Sequence, residues 1–271
     1  METSSYDPHK CSSDFLSEMD RLRLQVELTW KKEVRLLKQV GLRDGMEILE
    51  VGSGPGYFTK KLREEFPSSR ITALELLREL HEVAQSGLTP ADSDRIVCVN
   101  GAIENSGLTG GFDFAVSRYV FQHLPDPAAA TREILRLLKP GGHHTIIDVD
   151  DDLLLLADPP IDELSSVLVA LQTVQAGRRG NRHVGRHLPR ILVDAGFAGL
   201  SIDSVSVHSD ETGLEPFVAM LHPGAARQLV AAGLLTDESC KRYEKSYRDF
   251  MSSDQSIAIM NVFIVSGNRP T

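Results

Sequence analysis

The 271-residue sequence has few cysteines and no long apolar segment. Its three cysteines, Cys11, Cys98 and Cys240, lie far apart without a C-x-x-C spacing, which excludes a disulfide framework and a recognisable zinc site. No apolar run approaches the roughly 18 to 20 residues that cross a bilayer, and residues 1–10 are polar. We therefore expect a cytoplasmic protein with no membrane partner.

The sequence also has no excess of basic residues over acidic ones. The sequence has 29 lysines and arginines against 38 aspartates and glutamates, for a formal net charge of −9. The basic residues are scattered, so they do not form the positive stripe with which a DNA- or RNA-modifying enzyme neutralises phosphates. A nucleic-acid partner is therefore not expected, and a small-molecule substrate is favoured.

The most informative stretch contains three glycines at alternate positions. An apolar strand pattern runs through Gly52, Gly54 and Gly56 directly into an amphipathic helical pattern. Such glycines allow positive φ angles and close approach of a ligand, while the following helix points free N–H groups at it. The NAD-type fingerprint is G-x-G-x-x-G, whose third glycine would fall at position 57 when counted from Gly52. This chain has Tyr57 there, and the acidic residue Glu50 precedes the turn. That carboxylate would repel a pyrophosphate and suits a cationic amine.

The segment Glu50-Val51-Gly52-Ser53-Gly54-Pro55-Gly56 resembles the E/D-x-G-x-G-x-G motif of class I S-adenosylmethionine (SAM) dependent methyltransferases. Three further matches at the family's spacing are Glu75 at the end of the next strand pattern, Phe112-Asp113-Phe114-Ala115-Val116-Ser117 with its following His-Leu-Pro turn, and Leu137-Leu138-Lys139-Pro140-Gly141-Gly142. The resemblance is strong over residues 30–150. Within the family, the sequence is similar to the small-molecule branch of UbiE-like and natural-product enzymes.

Strand and helix patterns alternate along the chain, which predicts a parallel sheet with right-handed crossovers. With the resemblance, this predicts a Rossmann-like α/β fold: a seven-stranded, mostly parallel sheet with an antiparallel last strand, an N-terminal helix and a helical cap. The expected parts are an N-terminal arm and helix over the cofactor site (1–40), a SAM-binding core (41–209), a cap insertion (210–254), and a last core strand with a tail (255–271).

The resemblance implies SAM as the cofactor, with Glu50 on the methionyl amino group and Glu75 on the ribose hydroxyls. Where family members often have Gly-Asp-Ala, this chain has Gly101-Ala102-Ile103, so backbone groups there are expected to hold the adenine, with Glu104 as a substitute acid. The predicted cofactor-binding residues are Glu50, Gly52, Ser53, Gly54, Gly56, Glu75, Leu76, Ala102, Ile103, Ser117 and Arg118.

His123 is the candidate catalytic residue. It follows the fourth strand pattern, in a turn that the family often writes as His-Leu before an acidic residue and proline. A histidine there could take a proton from a substrate hydroxyl as the methyl group transfers. The alternative is a structural histidine whose hydrogen bonds hold the loop to a helix.

Four acidic residues, Asp148, Asp150, Asp151 and Asp152, follow the fifth strand pattern. They could hold a divalent cation, attract a cationic substrate, or form a solvated turn at a helix start. A metal is not expected, because the metal-dependent catechol-type branch also needs an Asp-Asn pair that we do not find.

In the predicted cap, a helical pattern over residues 237–251 places Cys240, Tyr243, Tyr247 and Phe250 on one face. This face could pack on the sheet or line a substrate pocket.

Taken with the resemblance, the sequence predicts a SAM-dependent methyltransferase of a small molecule, with O-methylation in secondary metabolism favoured. The alternatives are N- or C-methylation, or a SAM-binding enzyme that catalyses a cyclisation or elimination without methyl transfer. A protein that only binds its ligand is a third interpretation, and Tyr57 and Glu50 count against a dinucleotide oxidoreductase.

Overall fold

A mixed β-sheet of eight strands forms the centre of the computed structural model, which describes residues 4–9, 11, 14–217 and 223–271. The strands are β1 (Glu47–Val51), β2 (Arg70–Glu75), β3 (Ile96–Asn100), β4 (Phe112–Arg118), β5 (Leu138–Asp148), β6 (Leu155–Asp158), β7 (Ala198–His208) and β8 (Ile257–Asn268). The first five strands are parallel in the order β3-β2-β1-β4-β5, and β8 runs antiparallel to β5, β6 and β7. The predicted Rossmann-like sheet with an antiparallel last strand is therefore confirmed. The short strand β6 is an addition to the seven predicted strands.

Helices cover both faces of the sheet. They are α1 (Phe15–Gln39), α2 (Tyr57–Glu65), α3 (Arg78–Ser86), α4 (Pro90–Ser93), α5 (Pro127–Leu137), α6 (Leu164–Gly177), α7 (Leu188–Ala195), α8 (Ser209–Thr212), α9 (Gly224–Ala231) and α10 (Asp237–Met251). The long helix α1 begins where the Asp14 side chain accepts a hydrogen bond from the Ser17 N–H, an N-cap that satisfies a donor of the first turn. Trp30 on this helix packs edge-on against Phe58 of α2, with 5.5 Å between ring centroids.

Two buried clusters, one on each face of the sheet, form the core. Because side chains alternate along a strand, neighbouring residues of β1 divide between them: Ile48 packs with α1 and α2, and Leu49 packs with α5 and α7. Each such fully buried aliphatic side chain contributes roughly 1.5 to 3 kcal/mol. The result is a three-layer arrangement that holds the carboxyl ends of the parallel strands at one edge.

The predicted aromatic face of the cap lies on α10. Cys240, Tyr243, Tyr247 and Phe250 are all buried in the core cluster that also contains Met260 of β8, and none of the four lines the main cavity. The structure therefore supports the packing interpretation of this face.

The division of the chain into arm, core, cap and last strand stays a prediction. Residues 1–3, 10, 12 and 13 of the predicted arm and 218–222 of the predicted cap lie outside the described residues. Within the described ranges, no helix combines the length and apolar character needed to span a membrane.

Candidate cofactor and substrate site

The glycine turn lies at the carboxyl end of β1, between β2 and β4. The Gly52 N–H donates to the Leu74 carbonyl over 2.7 Å, which fixes the turn to the neighbouring strand. Gly52 has φ +71°, and a Cβ there would lie 2.3 Å from Val120 Cγ2, so only glycine fits. Gly54 has φ +55°, but a Cβ there would meet no atom within 4 Å. The backbone at Gly54 therefore faces open space, where a ligand can approach it closely.

The other two predicted residues of the turn differ in position. Ser53 is buried and lines the cavity described below, and its carbonyl accepts a 3.1 Å hydrogen bond from the Gly56 N–H. Gly56 does not line the cavity. It is the N-cap of α2, with φ +83°, so its contribution is to turn the chain into the helix.

Glu50 points a buried carboxylate at this turn. Its side chain lines the cavity, only 2% of the residue is exposed, and Oε2 has no hydrogen-bond partner among the described residues. Burial raises the pKa of Glu50 to about 8, although the nearby Thr59 hydroxyl and the Arg118 cation oppose this shift. A buried carboxyl group with an unpartnered oxygen fits a cationic ligand group, because such a group would supply a hydrogen bond and its charge would favour the ionised form of Glu50.

Glu75, the last residue of β2, is held in one orientation by the backbone. Its Oε2 accepts from the Gly54 N–H over 2.8 Å, and its Oε1 accepts from the Leu77 N–H over 2.7 Å. Burial raises the pKa of this carboxyl, while the hydrogen bonds from Leu77 and Gly54 act in the opposite direction. Each carboxylate oxygen keeps a further lone pair, so Glu75 can still accept hydrogen bonds from ligand hydroxyls.

The segments that follow β2 and β3 form the next part of the wall. Leu76, Ala102, Ile103 and Glu104 all line the same cavity. The two segments are held together because the Asn100 side-chain amide donates to the Leu76 carbonyl over 3.0 Å. The Ile103 side chain is itself buried in the core, which leaves mainly backbone groups of this segment for polar contact with a ligand.

The predicted residues at the end of β4 point in opposite directions. Ser117 does not line the cavity, since strand alternation turns its side chain to the other face of the sheet, where Oγ lies 3.0 Å from His144 Nε2. Only its backbone could face a ligand. Arg118 does line the cavity, but its guanidinium binds Glu33 over 2.9 Å and Thr29 Oγ1 over 2.8 Å, both on α1. The Arg118 side chain therefore ties β4 to α1.

His123 lies farther along the same cavity, under the N-terminal arm. Its Nδ1 is 3.0 Å from Ser5 Oγ, its carbonyl accepts from the Ser5 N–H over 3.0 Å, and its ring lies 5.2 Å from that of Tyr6. Burial, with the nearby Arg182 and Arg21 cations, lowers the pKa of His123 to about 3. The imidazole is therefore neutral at physiological pH, and a proton transferred to it would be held weakly.

A single cavity of about 710 Å³ joins these groups. It extends from Glu50, Gly54 and Glu75 past His123 to an end lined by α6, α9 and the segment before β6. Apolar residues that line this far end include Leu154, Leu168, Leu171, Val174, Leu229 and Ala232. The contribution of α6 is absent from the sequence-based prediction, although its Leu168, Leu171 and Val174 recur at intervals of three.

The acidic run after β5 is ion-paired rather than open. Asp148 is buried and accepts from the Gln122 N–H over 3.1 Å, and burial raises its pKa to about 7. The remaining acids pair with two arginines: Asp150 and Asp152 with Arg186, and Asp151 with Arg182. Oxygen atoms of Asp150 and Asp152 and a ring nitrogen of His183 lie within 4.8 Å of one another, but Arg186 already forms an ion pair with each of the two carboxylates. This arrangement favours none of the ligand-binding interpretations of the run.

Residues 22–202 match the methyltransferase domain family. The chain belongs to this family. It is a class I SAM-dependent methyltransferase, as the sequence motifs predict, and SAM is its cofactor. The unpartnered Glu50 carboxylate and the open backbone at Gly54 fit a cofactor that ends in an amino acid.

The methyltransferase is similar to several known proteins. It is 27% identical over 255 residues to an uncharacterised 37.1 kDa protein in transposon Tn4556 of Streptomyces fradiae, covering 93% of this chain and 70% of that one. It is 27% identical over 153 residues to the demethylmenaquinone methyltransferase of Listeria monocytogenes serotype 4a, covering 54% of this chain and 64% of the relative. The fold matches that of Haemonchus contortus phosphoethanolamine N-methyltransferase 2, with a TM-score of 0.59 and 16% identity over 89% of this chain and 53% of that one. The chain thus spans less than two thirds of the latter two proteins.

Proposed function

We propose that this methyltransferase moves the methyl group of SAM to an oxygen atom of a small, mainly apolar molecule. The observation that carries the proposal is the single cavity, which joins the polar glycine-turn end to an apolar end of α6 and α9. Apolar walls with a few fixed polar groups are typical of small-molecule sites. Secondary metabolism, the setting that the resemblance implies, stays a prediction.

Glu50 would bind the cofactor's amino group, because its Oε2 is buried without a partner. Glu75 would accept hydrogen bonds from ribose hydroxyls with the lone pairs that Gly54 and Leu77 leave unused. Backbone groups at Gly54, and at Ala102 and Ile103 farther along the wall, would complete the cofactor contacts. The side chains of Ser117 and Arg118 have other partners, so these two residues would contribute through their backbone.

When bound, SAM supplies a methyl group on an electrophilic sulfonium centre. The chain then has to align an acceptor and exclude water, which are effects of position more than of reactive side chains. Arm residues Ser5 and Tyr6, together with α1 and α6, cover the cavity and serve both purposes. His123 faces the cavity beside them. In the tautomer whose Nδ1–H donates to Ser5 Oγ, Nε2 is the nitrogen that is free to accept a proton.

The surroundings of His123 favour oxygen over carbon as the acceptor atom. Burial is the main cause that lowers the pKa of His123 to about 3, and Arg182 and Arg21 act in the same direction. Burial favours the neutral form of a hydroxyl and of an amine alike, so the preference for oxygen over nitrogen comes from the family resemblance, and paired acceptors test it. Carbon methylation needs a strong base to remove a C–H proton, and a histidine with a pKa of about 3 is a weak one.

The test is to incubate the protein with SAM and pairs of acceptors that differ only in a hydroxyl or an amine. We expect S-adenosylhomocysteine and a methylated product, both identified by mass spectrometry, from the hydroxyl member of a pair. Methylation of only the amine members would contradict the choice of oxygen. Conversion of an acceptor without S-adenosylhomocysteine would instead support the alternative of a cyclisation or elimination that uses bound SAM.

A further inference from the structure

Four arginines line the cavity among the described residues, and three of them are paired with a carboxylate. The pairs are Arg21 with Glu18, Arg118 with Glu33, and Arg182 with Asp151. The three acidic side chains are completely buried, at 0% exposure. Each of these arginines therefore has its charge compensated within the protein.

Arg178 is the fourth arginine, and it differs from the other three. It follows α6 directly and its side chain is partly buried in the cavity wall, yet in the described part of the chain no carboxylate lies within 4.0 Å of its guanidinium. A cation that is partly removed from water is stabilised by a partner of opposite charge. Arg178 is thus the cavity-lining cation that can pair with a ligand.

The surroundings of Arg178 define what that ligand looks like. Leu171 and Val174 precede it on α6 and line the apolar end of the cavity. The loop that begins with Arg178 is fixed to the turn of His123, because the Asn181 N–H and the Gln175 side-chain amide both donate to the Gln122 carbonyl, over 2.7 and 2.8 Å. Arg178 therefore belongs to a segment that links the apolar wall of α6 to the turn of His123, and all three line the same cavity.

We propose that the methyl acceptor carries a carboxylate, which Arg178 binds while the apolar part of the molecule lies against α6 and α9. The inference rests on the proposed function, since it places the acceptor in the same cavity as the cofactor. The planar guanidinium matches a carboxylate in a two-hydrogen-bond geometry. One uncompensated arginine balances a single negative charge, which favours a carboxylate over a doubly charged phosphate.

Arg178 also stands at the C-terminus of α6, where any cation interacts favourably with the helix dipole. That structural role does not require the side chain to line the cavity, and the next residue could serve it equally. Arg179 is exposed and does not line the cavity, which makes it a matched control.

The experiment uses octanoate and its uncharged analogue octanamide as probes. Their affinities are measured by calorimetry on the protein saturated with S-adenosylhomocysteine. We expect octanoate to bind about 10- to 100-fold more tightly than octanamide, the effect of a hydrogen-bonded charge. Arg178→Gln should remove this preference, Arg178→Lys should keep part of it because the charge remains, and Arg179→Gln should leave it unchanged.

Equal binding of the two probes, binding of neither, or a preference that survives Arg178→Gln would overturn the proposal. Binding of S-adenosylhomocysteine is measured first and should be the same in all variants. Failure of the unmodified protein to bind it would count against the proposed function as a whole, whereas normal binding without a preference for octanoate would count against the carboxylate alone. If Arg178→Gln does not fold, the partial loss in Arg178→Lys decides the question.

Discussion

Glu50 is the residue whose environment departs most from that of an ordinary surface acid. Its carboxylate is buried, and Oε2 lacks a partner among the described residues. We expect Glu50→Gln to weaken SAM binding about 10- to 100-fold, because the amide cannot offer a full negative charge to an ammonium. Calorimetric titration measures the effect. Glu47→Gln, at the other end of the same strand and outside the cavity, is the control and should bind normally.

The raised pKa of Glu50 also predicts a dependence of stability on pH. In the folded protein the pKa is about 8, compared with an ordinary value of 4.5, so the folded state holds a proton that the unfolded state releases. The free energy of unfolding from this group is therefore greatest below pH 4.5 and falls as pH rises to about 8. Asp148, with its pKa raised to about 7, acts in the same direction. Urea unfolding across this range should show a smaller decline in Glu50→Gln than in the unmodified protein; equal declines would show that Glu50 is not the cause.

His123 can be tested as a base by a substitution that keeps a polar side chain. An asparagine can hold some hydrogen bonds but cannot take a proton at neutral pH. Because burial and two arginines lower the pKa of His123 to about 3, we expect His123→Asn to retain turnover to within about tenfold, less than the 10²- to 10⁴-fold of a general base. Steady-state kinetics with an identified acceptor decide the matter. A loss of 10²-fold or more with unchanged SAM affinity would establish the base role predicted from the sequence.

At the scale of elements, the buried pair between α1 and β4 holds the first helix on the core. Arg118 Nε lies 2.9 Å from Glu33 Oε2, and the two side chains are 6% and 0% exposed. Removing one partner of a buried pair leaves the other charge uncompensated. We expect Glu33→Gln to lower the free energy of unfolding by about 3 to 5 kcal/mol in urea denaturation.

The same helix carries the control for this prediction. Glu27 pairs with Arg23 on the exposed face of α1, with side chains 48% and 44% exposed. Exposed ion pairs are worth about 0 to 1 kcal/mol, so Glu27→Gln should change stability very little. Similar effects of the two substitutions would show that the buried pair is not what fixes α1.

The positions of site residues at strand ends and in the glycine turn could be predicted from the sequence. The cavity walls formed by segments far apart in the sequence could not. Glu50, Gly54 and Glu75 follow from local motifs because strand ends and tight turns are specified by neighbouring residues. The wall from α6 depends on contacts with segments that are distant in the sequence, and the pairing of Asp151 with Arg182 spans 31 residues. No local pattern encodes such contacts. Ser117 is an intermediate case: the motif locates it at the strand end, but alternation of side chains decides which face it meets.

At the scale of the whole molecule, the net charge of the chain and the charges that line its cavity have separate effects. The chain carries a net charge of −9, yet four arginines line the cavity in the described ranges. Net charge governs encounters with large partners, and it disfavours the phosphate backbone of a nucleic acid. The local balance inside the cavity governs which small molecule is held. An acidic protein can therefore present one uncompensated cation, Arg178, in its cavity, while buried acids such as Glu33 and Asp151 compensate the other arginines.

Ligand binding should raise the stability of the whole chain, because a ligand that binds only the folded state shifts unfolding by mass action. S-adenosylhomocysteine at about 100 times its dissociation constant should add about 2.7 kcal/mol. For a chain of this size that corresponds to a rise in melting temperature of roughly 5 to 10 °C. NAD at the same concentration should give no shift, because its pyrophosphate would meet Glu50 at the glycine turn. Differential scanning fluorimetry compares the two ligands directly, with Glu50→Gln expected to reduce the S-adenosylhomocysteine shift and Glu47→Gln to preserve it. A shift with NAD and none with S-adenosylhomocysteine would mean that the turn binds a pyrophosphate and that Glu50 does not have the role assigned to it.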